Sequence, residues 1–149
     1  MSLAFMRTLA PATLIALSVV MAACRAEPPA TVEWRDRVFE EVQSLADLPP
    51  VIQSALGSSR SGLDGIADRG QPFNATDAVV GTWPTRRFLV AGRDRETWLV
   101  ALEHGGRGYS VEVFLFSQPE PTPKQKWVLL QRPRTLRDVV QQVSQKEAQ

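Results

Sequence analysis

The chain has 149 residues, enough for one ordinary domain and too few for two. Seventeen basic residues face sixteen acidic ones, for a formal net charge of +1, so there is no bulk attraction for nucleic acid or anionic lipid. One cysteine (Cys24) and one histidine (His104) exclude an intramolecular disulfide and fall short of a structural zinc site. Only three of the seventeen basic residues are lysine, an arginine preference that base composition explains as well as function does.

In chain order, the first segment reads as a secretion signal over residues 1–23. Arg7 precedes an apolar run, Thr8 to Val20, which is followed by the small residues Ala22 and Ala23. The run is too short to cross a bilayer comfortably, and Pro11 argues against a settled core helix. It ends in "MAAC", Met21 to Cys24. That ending resembles the lipobox of bacterial lipoproteins, an aliphatic residue and two small residues before an invariant cysteine, with Met21 where leucine is usual. The resemblance implies diacylglycerol on the Cys24 sulfur, cleavage before Cys24 and acylation of the new amino terminus. It also implies a palmitate-type anchor in the cell envelope, and Arg25 after the cysteine, where aspartate would signal inner-membrane retention, implies the outer membrane, periplasmic side. Several acyl chains make a stable anchor where one is marginal. Residues 24–30, "CRAEPPA", then form the lipidated cysteine and an extended tether, with Pro28 and Pro29 resisting helix. Without the leader, which carries Arg7 as its one charged side chain, sixteen bases balance sixteen acids.

Residues 31–149 are read as a single α+β domain. In "TVEWRDRVFEEVQSL", Trp34, Val38, Val42 and Leu45 fall at helical spacing, and the expectation is an N-terminal amphipathic helix capped by Thr31. "PPVIQSALG" predicts a short helix opened by proline and closed by Gly57. Residues 58–72 read as loop, and "NATDAVV" as a turn of helix started by Asn74. From Arg86 four runs, "RRFLVAG", "ETWLVALEH", "YSVEVFLFS" and "KWVLLQR", predict consecutive strands with short connections. "TLRDVVQQVSQ" places Leu136, Val139, Val140 and Val143 on one face of a closing helix, with Thr135 and Asp138 as a capping box. The expected fold is a four-stranded antiparallel meander with the N-terminal and C-terminal helices packed on one face.

The most distinctive local stretch is "EHGGRGY", Glu103 to Tyr109, with the chain's one histidine and one tyrosine and three glycines. It reads as a tight hairpin whose glycines take positive φ, and also as an exposed binding loop, with His104, Gly105, Gly106, Arg107 and Tyr109 as candidates. "GGRGY" is similar to the Ser-Gly-x-x-Tyr loop of bacterial lipoprotein inhibitors of lysozyme, with Gly105 in the serine's place. That resemblance implies an inhibitor or immunity-type protein acting on a cell-wall hydrolase. Catalysis finds little in the sequence. His104 beside Glu103 offers a general base, but neighbours on a strand point to opposite faces. Asp64 with Asp68 offers a carboxylate pair as a second catalytic candidate, and a solvated loop as the plainer reading. Trp83, Trp98 and Trp127 offer an aromatic binding surface as one reading, and core or half-buried sheet residues as the favoured one. "RPR", Arg132 to Arg134, is basic but isolated, so nucleic acid is not an expected partner, and no cofactor is. The expectation is a non-enzymatic envelope lipoprotein that binds a protein partner. An inhibitor acting through Gly105 to Tyr109, and an envelope enzyme using His104, are the alternatives.

Overall fold

The computed structural model describes residues 28–78 and 81–149. The leader and Cys24 lie outside the described residues, as do the last two residues of "NATDAVV". The strands are β1 (Thr31–Trp34), β2 (Arg37–Val42), β3 (Ile66–Ala67), β4 (Arg86–Asp94), β5 (Thr97–His104), β6 (Ser110–Ser117) and β7 (Gln125–Leu129). The helices are α1 (Pro50–Leu56) and α2 (Leu136–Glu147). The strands form one sheet in the order β1-β2-β4-β5-β6-β7, antiparallel throughout, with the two-residue β3 added to β4 in parallel. The class is α+β as expected, and the four strands from Arg86 onward form the meander the sequence predicts.

Two expectations are corrected. The N-terminal helix is a β-hairpin, which together with the two-residue β3 raises the strand number from four to seven. Val32, Trp34 and Phe39 point into the core, while Val38, which helical spacing assigned to it, is 54% exposed. The chain reverses at Arg35 and Asp36, both in the left-handed region (φ 50° and 58°), the two-residue geometry whose twist suits a hairpin. The helices, moreover, lie on opposite faces of the sheet. Leu136, Val139, Val140 and Val143 of α2 pack on Leu99, Ala101, Val111 and Val113. Leu48, Ile52 and Leu56, in and just before α1, pack on Phe88, Val100, Leu102 and Phe116 of the other face. Two-sided burial explains why β5 reads as an unbroken apolar run rather than an alternation. "NATDAVV", where described, is not helical.

A one-residue bulge in β4 lets Leu89 and Val90 both face α2 while Phe88 and Ala91 face α1. The sheet curls strongly. Its first and last strands both touch α2, and Trp34 of β1 meets Trp127 of β7 edge-on, with ring centroids 6.0 Å apart. α2 is held at its start by the expected box. Thr135 Oγ1 accepts from the Asp138 N–H (3.2 Å), and the Asp138 carboxylate accepts from the Thr135 N–H (3.2 Å). Glu41 adds a second anion there, accepting from Leu136 N–H at 2.9 Å. α1 ends on Gly57 at φ 80°, and Arg86 Nη1 donates to the Leu56 carbonyl (2.8 Å) at the negative end of that helix.

Candidate functional site

The loops at one end of the sheet are tied into a single platform. Thr85 N–H donates to the Leu63 carbonyl (3.2 Å), and Gly105 N–H donates to the Thr85 carbonyl (2.9 Å), joining three loops through their backbones. Asn74 N–H donates to the Pro84 carbonyl (2.8 Å), and its side-chain amide donates to the Trp83 carbonyl, closing the long connection between β3 and β4 on itself. Asp68 fixes the start of that connection by accepting from Ser44 Oγ (2.8 Å) and Leu45 N–H (2.9 Å). It is therefore an anchor, engaged with β2's exit rather than with Asp64.

Gly105 explains how the platform closes. A methyl group at its α-carbon would overlap the Asn74 carbonyl oxygen and lie 2.7 Å from Ala75 Cα. The residue must be glycine because backbone approaches backbone here, not because of its φ. Gly106 has the positive φ (101°) that the turn needs. Arg107 stands at the exposed tip.

Beneath the turn lies a buried acid. Glu103 is 1% exposed. Its carboxylate accepts from Arg87 Nε (2.5 Å) through Oε1 and from the Tyr109 hydroxyl (3.0 Å) through Oε2, and Arg132 approaches at 3.3 Å. Arg87 is the cross-strand neighbour of Glu103. Its guanidinium also donates to the Gln71 carbonyl (3.1 Å) and lies 4.1 Å over the Phe73 ring. One carboxylate thus ties β4, the β5–β6 turn and the segment before α2 to the same point. A buried acid without such partners is costly, so the cluster is all-or-nothing. Burial, and then the Glu103 charge, push the Tyr109 hydroxyl up to about 12.

His104 lies on the other face. Its Nε2 is 2.9 Å from Glu112 Oε2, a contact that is ionic only when the imidazole is protonated, and Lys126 Nζ is 2.5 Å from Glu112 Oε1. Burial lowers the imidazole pKa, with Glu112 opposing the shift. The five candidates Gly105, Gly106, Arg107, Tyr109 and His104 are therefore not brought to one point. The glycines shape the turn, Arg107 tips it, and Tyr109 and His104 serve carboxylates on opposite faces of the sheet. Among the described residues, no group of three His, Cys, Asp or Glu side chains gathers to hold a metal.

What this end offers is surface. Trp83 is 47% exposed, Tyr109 38% and Leu130 80%. Trp98 is buried and Trp127 half-buried, as the sequence suggests, but Trp83 is held outward by the closed loop that carries it. Sequence reasoning weighed Trp83 as part of an aromatic surface but favoured the core, and missed Leu130 as a surface residue and Arg87 and Arg132 as partners of Glu103. The signal for Arg87 was available, because a glutamate inside an apolar strand needs a cation on the neighbouring strand. Comparison of the chain with family models, with curated proteins and with solved structures gives no match.

Proposed function

We propose that this chain is a non-enzymatic lipoprotein of the bacterial cell envelope, anchored through Cys24 at the periplasmic side of the outer membrane. Its domain binds another envelope protein through the loop end around Trp83, Arg107 and Tyr109. The observation that supports this reading is the pairing of exposure with rigidity. Trp83 and part of the Tyr109 ring reach solvent on loops that backbone hydrogen bonds and the Glu103 cluster hold in place. Aromatic and arginine side chains on a preordered frame are the usual anchors of protein interfaces, since little side-chain freedom is lost on binding. The described chain begins with Pro28, Pro29 and Ala30 exposed, and the Ala30 carbonyl accepts from Glu41 N–H (2.7 Å). A leash of seven residues from Cys24 reaches about 25 Å at full extension.

Two measurements test the proposal. Metabolic labelling with radioactive palmitate should mark the wild-type protein and not a Cys24→Ser variant; equal labelling of both ends the anchor claim. Capture from native envelope extracts should recover a partner that the Trp83→Ala/Arg107→Ala variant loses while keeping its circular dichroism. Recovery of the same proteins by both forms overturns the assignment of the surface. A narrower version makes the target a cell-wall hydrolase. With Gly105 packed against Asn74, that version rests on the exposed Arg107–Tyr109 tip, and an Arg107-dependent loss of lysozyme activity is its test.

A further inference from the structure

The curled sheet has a concave inner face, and α2 fills only part of it. The buried aliphatics of α2 cover Leu99, Ala101, Val111 and Val113. At the end of the sheet away from the loop platform, a hollow of about 280 Å³ remains among β1, β2, β5 and β6. Its floor is apolar, made by Trp34, Phe39 and Leu115 of the α2-side core. Its rim is polar, made by Arg35, Arg37, Thr97 and Ser117. On β5 the inner row runs Ala101, Leu99, Thr97, and on β6 it runs Val113, Leu115, Ser117. Both rows thus pass from apolar side chains to a hydroxyl at the same step, and Thr97 and Ser117 stand opposite each other in register. An apolar floor with a few convergent polar groups, at the mouth of a curled sheet, is the general form of a small-ligand site.

The rim defines the head group of the ligand. Arg37 Nη1 donates to Thr97 Oγ1 at 2.6 Å, which holds the guanidinium over the hollow. Its acidic neighbour Asp94 is 3.7 Å away, beyond hydrogen-bond distance, so the remaining N–H groups of Arg37 stay available. Arg35 is already engaged, stacked on Trp34 and paired with Glu147. Ser117 Oγ has no hydrogen-bond partner among the described residues. This end of the molecule carries no net field. Asp94 and Glu147 offset Arg37 and Arg35, and in the neighbouring groove Asp36 and Glu96 offset Arg95 and Lys124. Selection therefore rests on direct contact. The described residues that line the hollow supply two guanidiniums, two hydroxyls and no carboxylate. Such a set asks for an acceptor, and a carboxylate matches the fork of Arg37 with a hydroxyl beside it.

We propose that the hollow binds a small free monocarboxylic acid with a compact apolar body. The carboxylate meets Arg37 and the Ser117 hydroxyl at the rim, and the body lies on Trp34, Phe39 and Leu115. The site is at the opposite end of the sheet from the loop surface, and it adds a small-molecule ligand to the reading of the chain as a binding protein.

The test uses the full chain in mild nonionic detergent, with 4-methylpentanoate as the probe and 4-methylpentanamide as its uncharged match. Titration calorimetry and tryptophan fluorescence should show one saturable site for the acid, with Kd below about 1 mM. The amide should bind at least about tenfold more weakly, and Arg37→Gln should weaken the acid by a similar factor. Leu115→Phe, which fills the floor, should abolish binding while keeping its circular dichroism and a cooperative unfolding transition. Trp83→Ala should bind the acid as the wild type does, so failure here is separable from failure of the loop surface in envelope capture. Absence of saturable binding, equal binding of acid and amide, or acid binding unchanged in a folded Leu115→Phe variant overturns the proposal. Tighter binding of a Gly-Gly-Gly-Leu peptide than of the acid makes the ligand a chain end and also overturns it.

Discussion

Glu103 bears on both stability and titration. Among the described residues it is the one buried acid that gathers cations from two separate segments, Arg87 and Arg132, and a hydroxyl from a third. Glu103→Gln keeps the shape and removes the charge, leaving Arg87 facing a neutral amide. The expected loss is about 3 kcal/mol, the low end for breaking a buried pair because Arg132 stays half in water, and urea unfolding measures it. Tyr109 gives an independent reading, being the sole tyrosine of the chain. Its absorbance titration should centre near 12 in the wild type and fall towards 10 in Glu103→Gln, since the neighbouring carboxylate is one of the forces holding the proton on. The sign for stability follows. The folded state keeps a proton that the unfolded chain releases near pH 10, so this contribution is complete below pH 10 and is lost as pH rises towards 12. A wild-type midpoint at 10 would disprove the buried contact between Tyr109 and Glu103.

Among the elements, the first hairpin shows where sequence reading stops. Strands β4 to β7 were legible because alternation and short connections agree, and α2 because its four buried aliphatics and its cap agree. The segment 31–45 satisfies helical spacing by coincidence, and its turn hides the hairpin. Arg35-Asp36 replaces the Asn-Gly that ordinarily advertises two left-handed residues. What holds Arg35 there is remote in sequence. Its guanidinium lies 4.4 Å over Trp34 and 5.9 Å from the Trp127 ring, and pairs with Glu147 at the far end of α2. The glycine turn was half legible in the same way. Gly106 obeys a local rule, whereas the need for glycine at Gly105 comes from Asn74, thirty-one positions away, and no local pattern carries it. Asp36 has no remote contact of Arg35's kind, so Asp36→Gly should relieve its strained φ and raise stability by about 0.5–1 kcal/mol. Thermal unfolding should show a rise of a few degrees. Arg35→Gly should show no gain, because the stack over Trp34 and the Glu147 pair are lost with the side chain.

Over the whole molecule, the curled sheet is a wall shared by two cores, and this decides how the domain fails. β4 contributes Leu89 and Val90 to the α2 side and Phe88 and Ala91 to the α1 side, so neither core can open without disturbing the strand that lines the other. Ile52 of α1 and Leu136 of α2 are both fully buried, on opposite faces. Ile52→Ala and Leu136→Ala should each cost about 2–5 kcal/mol, lowering the urea midpoint without changing the slope. Fluorescence and far-ultraviolet circular dichroism should trace one transition in each variant. The tryptophans make the comparison sharp, since Trp34 and Trp127 belong to the α2 side and Trp98 to the α1 side. Two separated transitions in Ile52→Ala, with the Trp98 signal lost first, would mean that the α1 face is an appendage. The loop platform would then rest on a sheet free to loosen from one side, and the rigidity that recommends Trp83 and Tyr109 as anchors would be lost with it.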